Sequence, residues 1–176
     1  EARQEVLIQS PYLVLSDPAL ELMRQTLARG VKIRINTNSL AATDNLQAFS
    51  GYRNQREQLL AMGVEIFEFR PDATIEQQRM GRFETSSGKP PIFSLHAKTM
   101  VVDDHIAVIG SSNFDIISVL MNREVGLVVF NDGVVDELDR QWENDLMLTE
   151  RVTNDWEGIR SWWRLWIARV GSFLIR

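Results

Sequence analysis

The chain has 176 residues, 44% of them hydrophobic and 24% charged, which is the balance of a soluble globular protein with material for one core rather than of a disordered chain. Its formal charge of −5 argues against nucleic acid as a partner, since such binding usually leaves a basic footprint, although a local basic site stays compatible with it. With no cysteine and only two histidines, His96 and His105, disulfides and thiolate metal sites are excluded, and a multi-histidine metal centre within one chain is argued against.

The chain begins at Glu1 without a signal-peptide pattern and reads as a piece excised from something longer. "EVLIQSPYL" (5–13) is a β-rich apolar run ended by Pro11. Ser16 and Asp17 are cap candidates, and Pro18 suits the first turn of a helix that runs through Leu20, Met23 and Leu27 and stops at Gly30. "VKIRIN" (31–36) alternates as a half-buried strand does. A helix over about 43–62, closed by Gly63, leads into the strand "VEIFEF" (64–69). Strands alternating with helices imply an α/β sheet with parallel neighbours. Residues 70–92 are polar and without a period, and read as a long surface loop of the kind that often serves function. A short helix near 114–121, a strand "EVGLVVF" (124–130) and a helix from about 134 onward follow a hairpin.

That hairpin, "SLHAKTMVVDDHIAVIGSSNFD" (94–115), joins two apolar strands through an acidic turn. In a strand, residues two apart share a face. His96, Lys98, Met100 and Val102 therefore look one way and Leu95, Ala97, Thr99 and Val101 the other. Both faces are apolar toward the turn, as in a strand buried on both sides, and the polar groups collect at the far end. With Asp104-His105 as a two-residue turn, Asp103 pairs with Ile106, Lys98 faces Ser111 and His96 faces Asn113. Lys98 is a cation, Ser111 and Asn113 are neutral donors, and backbone N–H groups near Ser112 would open a helix; together they describe a seat for a phosphate. An imidazole is the side chain whose ordinary titration lies near neutrality, so a histidine at position 96 could act there as nucleophile, base or acid, with Glu124 placed to hold one imidazole nitrogen. Taken singly, each residue also fits an ordinary strand edge and turn. As a set they keep the spacing H-x-K, four residues, D, six residues, G-S-x-N.

His96, Lys98, Asp103, Gly110, Ser111 and Asn113 fill every fixed position of the HKD motif, and the segment resembles the phospholipase D superfamily. The opening "EVLIQSPYLVLSDPALELMRQTLARGVKIRINTNSL" is similar to the start of the C-terminal half of bacterial cardiolipin synthases, the cardiolipin synthase C group above all. The resemblance implies a mixed β-sheet flanked by helices on both faces, forming one half of a two-HKD architecture. It implies an attack by histidine on a phosphodiester, a phosphohistidine intermediate, and a second histidine that protonates the leaving alcohol and then activates the acceptor. No cofactor is implied. By position, Lys98, Ser111 and Asn113 would hold phosphate oxygens and Asp103 and Glu124 would be supporting acids. Asp103 is the weaker of these, since the hairpin sets it at the turn. Tyr12 would be a wall of the substrate cleft or a plain core tyrosine. His105, in the turn, lacks the motif.

One HKD motif is half a site, so the partner is a second HKD half, from the same parent chain or from an identical subunit. As a C-terminal half, this chain would use His96 for proton transfer. The implied substrates are phospholipids such as phosphatidylglycerol, at a membrane surface, with peripheral placement on the cytoplasmic side of a bacterial inner membrane. The implied reaction is phosphatidyl transfer to a lipid alcohol. A phosphodiesterase (a lipid hydrolase or a homodimeric nuclease) and an inactive isolated half-domain remain alternatives. Residues 1–150 form the catalytic half-domain in this reading. Residues 151–176 form a Trp/Arg-rich helical tail holding four of the five tryptophans, which rests on lipid headgroups or packs its aromatic face on protein.

Overall fold

The structure, a computed structural model, describes residues 1–70 and 94–153. The expected loop at 70–92 and the Trp/Arg-rich tail fall almost entirely outside the described residues. A seven-stranded mixed sheet is built from β1 (Glu5–Gln9), β3 (Lys32–Asn38), β4 (Glu65–Phe69), β5 (Thr99–Val102), β6 (Ile106–Gly110), β8 (Gly126–Val129) and β9 (Thr149–Arg151), in the order β8-β6-β5-β1-β3-β4-β9. β1, β3 and β4 are parallel neighbours, as strands linked through helices must be, while the hairpin strands and β9 pair antiparallel. A separate two-stranded ribbon joins β2 (Leu13–Val14) to β7 (Phe114–Asp115).

Alternation along the central strands divides the core between two faces. Val6, Ile8, Ile33 and Ile35 meet Leu20 and Met23 of α1 (Asp17–Ala28) and Phe49, Tyr52 and Leu59 of α2 (Leu46–Met62). On the other face Leu7, Val101 and Ala107 pack on Val135 and Trp142 of α4 (Asp132–Leu146). Met100 and Val102 join the first cluster and Val101 the second, so β5 is apolar on both sides as its sequence predicts. The expected sheet flanked by helices on both faces is the observed one. Asn45 caps α2 by accepting from the Gln47 and Ala48 N–H groups, and Gly63, at φ 98°, closes it where a Cβ would be strained.

The first apolar run ends before Pro11, as expected, and Leu13–Val14 join the ribbon rather than the main sheet. Two expectations are corrected. The hairpin turn has three residues, Asp103–His105, with Asp103 and Asp104 both left-handed at φ 52° and 54° and Val102 paired to Ile106. The segment after the motif enters β7 before a five-residue helix α3 (Ile116–Leu120), whose N-terminus is capped by the Asp115 carboxylate, so no anion-binding helix start lies near Ser112. β9 covers Thr149–Arg151, and the Val152 N–H donates to the Ile66 carbonyl at 2.8 Å.

Candidate active site

β5 begins at Thr99, so His96 and Lys98 lie on an extended lead-in to the strand rather than in it. Only the Gly110 N–H, donating to the Lys98 carbonyl at 3.1 Å, continues the pairing. The three-residue turn shifts the register by one, and a one-residue shift changes faces. Lys98 faces Gly110, and the construction that set Lys98 opposite Ser111 and His96 opposite Asn113 fails. The polar groups still gather, by a different route. Lys98, Ser112 and Asn113 line a half-open cavity of about 340 Å³ whose other walls include Val14, Met100, Val108 and Val119. The Lys98 ammonium donates to the His96 carbonyl at 2.8 Å, and His96 itself is exposed.

Ser111 turns the other way. Its hydroxyl donates to Glu124 and accepts from the Val125 N–H at 3.0 Å, while its own N–H donates to the Val125 carbonyl at 2.9 Å. Gly110 permits this approach, because a Cβ there would stand 2.6 Å from the Val125 carbonyl oxygen. Asn122 donates to the second Glu124 oxygen at 3.1 Å. Glu124 therefore binds Ser111 and Asn122 in this structure; among the described residues, no hydrogen bond to the His96 imidazole accompanies these. Hydrogen bonds from Ser111 and then Asn122 hold the Glu124 carboxyl below its usual range. Burial pushes the Lys98 ammonium down, against the carboxylates of Glu124, Asp44 and Asp115, which pull it up. The cation thus sits within an acidic ring.

Tyr12 donates to one of these carboxylates, Asp44, at 2.9 Å; burial, then Asp44, then Asp115 push its phenol up. It stands beside the cleft, held there by Ser10, whose hydroxyl donates to the Tyr12 carbonyl at 2.7 Å and accepts from the Phe114 N–H at 3.1 Å. Asn113 contacts the Ser118 hydroxyl through its backbone N–H at 3.3 Å, and its Oδ1 is buried without a partner.

Asp103, expected as a supporting acid, is engaged with the backbone at the start of the chain. Its carboxylate accepts from the N–H groups of Arg3, Gln4 and Glu5 at 2.7, 2.7 and 3.0 Å, tying the start of β1 to the turn. Seven residues of extended chain put it roughly 20 Å from His96. His105 is an exposed turn residue, as expected.

Sequence reasoning missed Asp44, Asp115 and Asn122 and used Ser112 only through its backbone; none belongs to the fixed spacing, and Asp115 was legible only as a helix-cap residue before "IISVL". Among the described residues, no group of three or more His, Asp or Glu side chains is placed to hold a metal ion. A partly desolvated ammonium bonded to the His96 carbonyl, in a cavity also lined by Ser112 and Asn113, can hold a phosphodiester, and an exposed histidine two residues away is of the type that exchanges a proton or a bond with one.

The family model for the cardiolipin synthase, PLD-like domain matches residues 1–146. Cardiolipin synthase C of Escherichia coli is 37% identical over 135 residues, covering 77% of this chain and 28% of that protein. A cardiolipin synthase of Clostridium perfringens is 28% identical over 176 residues, covering 99% of this chain and 31% of that protein. The chain thus spans about a quarter to a third of the length of these curated relatives. The crystal structure of Nuc, a phospholipase D family member from Salmonella typhimurium, superposes with a TM-score of 0.62 at 14% identity, covering 88% of this chain and 85% of that one, and shows the shared fold. Family match, curated relatives and fold agree: this chain belongs to the phospholipase D-like domain family of the cardiolipin synthases.

Proposed function

We propose that the chain is one catalytic half of a phosphatidyltransferase of cardiolipin synthase type. In this reading one imidazole attacks the phosphorus of a phosphatidylglycerol-like donor, forming a P–N bond as the P–O bond to the leaving alcohol breaks. The second imidazole protonates the leaving alkoxide. It then takes the proton from the acceptor lipid's hydroxyl as that oxygen attacks phosphorus and the P–N bond breaks. His96 fills the proton-transferring role, Lys98 and Asn113 face the phosphate oxygens, and Ser111 and Glu124 brace the wall beside them. The observation that carries this reading is Lys98, partly desolvated, lining a largely apolar cavity and bonded to the backbone carbonyl of the exposed His96. The acidic ring of Glu124, Asp44 and Asp115 around Lys98 favours one phosphodiester at a lipid interface over the repeated phosphates of a nucleic acid.

The second histidine belongs, in this reading, to another half of the same parent chain, since relatives roughly three times as long as this chain have room for one. An apolar strip beside the cleft supports such a covering: Ile117, Val119 and Leu120 of α3 and Leu127, Val128 and Phe130 on and beyond the edge strand β8 are 58–75% exposed. Among the described residues no helix is long and apolar enough to cross a membrane; the proposal places the protein at a bilayer surface on its cytoplasmic side.

The test compares the full-length parent with its His96→Ala variant on phosphatidylglycerol vesicles and on single-stranded DNA. Wild type should release glycerol and form cardiolipin, and His96→Ala should do neither. Lipid turnover that survives His96→Ala, or DNA cleavage without lipid turnover, would refute the reading.

A further inference from the structure

The ladder of β5 starts only at Thr99, so sheet hydrogen bonds do not hold the main chain at His96. Side chains hold it instead. Asn38, the last residue of β3, is 2% exposed, and its amide pairs with the backbone of Leu95 as a neighbouring strand would: Nδ2 donates to the Leu95 carbonyl at 3.0 Å and Oδ1 accepts from the Leu95 N–H at 2.8 Å. On the far side of the motif, the Thr99 hydroxyl donates to Gln9 Oε1 at 3.0 Å, and Gln9 Nε2 donates to Asp145 at 2.7 Å. Leu95 and Thr99 bracket His96–Lys98. Leu95 is itself buried, against Ala42, Phe69 and Leu148.

A buried amide at the end of a central strand is costly unless both its ends are bonded, and an apolar residue would pack there without that demand. Asn38 meets the demand with two bonds to a single residue, the one immediately before His96. We propose that Asn38 is a positioning residue for the reaction. By clamping Leu95 it sets the place and direction of the His96 imidazole, with the Gln9–Thr99 contact fixing the other end of the segment. The proposal rests on the reading of His96 as a reacting group. Displacing a reacting group by about 1 Å can cost on the order of a hundredfold in rate even when the mutated residue is remote.

The experiment uses the full-length parent on phosphatidylglycerol vesicles, with kcat and KM normalised to the folded fraction, and compares wild type, Asn38→Ala, Asn38→Asp and His96→Ala. In Asn38→Asp the ionised carboxylate keeps an acceptor for the Leu95 N–H but turns an oxygen toward the Leu95 carbonyl. At neutral pH both Asn38 variants should lose roughly 10- to 100-fold in kcat, with KM within about threefold of wild type because ground-state binding is untouched. Burial raises a carboxyl's pKa, and the protonated acid has an O–H where Asn has an N–H. Turnover of Asn38→Asp relative to wild type should therefore recover as pH falls, while Asn38→Ala stays low; if Asn38→Ala does not fold, this recovery carries the test. Wild-type kcat per folded molecule in Asn38→Asp at every pH from about 6 to about 9 overturns the proposal. If His96→Ala keeps full turnover, the functional reading has failed separately. Hydrogen exchange then decides the clamp: faster exchange over 95–98 in Asn38→Asp, with β1 unchanged, supports it, and unchanged exchange over 95–98 overturns it.

Discussion

Replacing Asp103 separates a structural clasp from a catalytic acid, because the two roles predict opposite pairs of readouts. Asp103→Ala leaves the N–H groups of Arg3, Gln4 and Glu5 without their carboxylate, at a turn where water can replace it in part. A single hydrogen bond to a charged group contributes roughly 1.5–3 kcal/mol, and solvent competition reduces the whole set to about 2 kcal/mol. For a chain of this size that is a fall in Tm of roughly 4–8 °C. Asp103→Asn keeps one acceptor oxygen and tolerates the left-handed backbone, so it should lose about half as much. Burial alone would raise the Asp103 carboxyl, but the N–H groups of Gln4, Glu5 and Arg3 and the Arg3 charge outweigh it and hold it below the usual carboxylate range. A depressed folded-state pKa gives stabilisation that is complete above the unfolded value of about 3.9 and disappears as pH falls through the folded value. The Tm difference between wild type and Asp103→Ala should thus be constant around neutrality and close in strong acid. Circular-dichroism melts across pH, with turnover per folded molecule on the same samples, decide the matter. A tenfold or greater loss of turnover with an unmoved Tm would refute the clasp and return Asp103 to the site.

Gly110→Ala should cost about 1–3 kcal/mol, because its Cβ would meet the Val125 carbonyl at 2.6 Å and push β8 away; a wild-type melting curve would contradict that close approach. Glu124→Gln removes the first of three carboxylates that raise the Lys98 pKa against the lowering effect of burial. The ammonium should then deprotonate at lower pH, moving the alkaline limb of the activity profile down; an unmoved limb would argue against Lys98 as the cation of the phosphate seat. Leu127→Lys on the exposed edge strand should change the stability of this chain by no more than about 0.5 kcal/mol, yet lower the activity of the full-length parent. Full activity in the parent would mean that nothing covers that strip.

The parts of the fold that the sequence made legible are those with a period and a stop signal. β3 alternates, α2 ends on Gly63, and the apolar run Thr99–Val102 fits a strand buried on both sides. β9 escaped notice because Thr-Glu-Arg offers no apolar alternation and exists as a strand only through β4. The motif itself was legible at fixed spacing, but its geometry was not. Whether Lys98 faces Ser111 depends on one residue of turn length, and the choice between a two- and a three-residue turn rests on Asp103 adopting a left-handed conformation that its clasp to residues 3–5 supports. Those partners lie about a hundred residues away, where no local pattern records them.

The same reason explains why the supporting polar residues could not be read in advance. Gln9, Ser10 and Asn38 stand at the carboxyl ends of β1 and β3, where open α/β sheets place their sites, and all three are buried. In sequence they look like a strand losing its apolar character. In the structure each bonds to a neighbour of a site candidate: Asn38 to Leu95 beside His96, Gln9 to Thr99 beside Lys98, and Ser10 to Phe114 beside Asn113 and to Tyr12 itself. A buried polar group must find a partner, and these find theirs beside the site candidates: Leu95 outside any strand, Thr99 at the start of β5 and Phe114 at the start of β7. The demand that makes them costly in a core makes them good anchors here, because an amide or hydroxyl without water has few other arrangements open to it. The rigid centre of the sheet thereby reaches the chain on either side of His96–Lys98 and next to Asn113 through short, directional bonds, and the candidate site residues inherit its position.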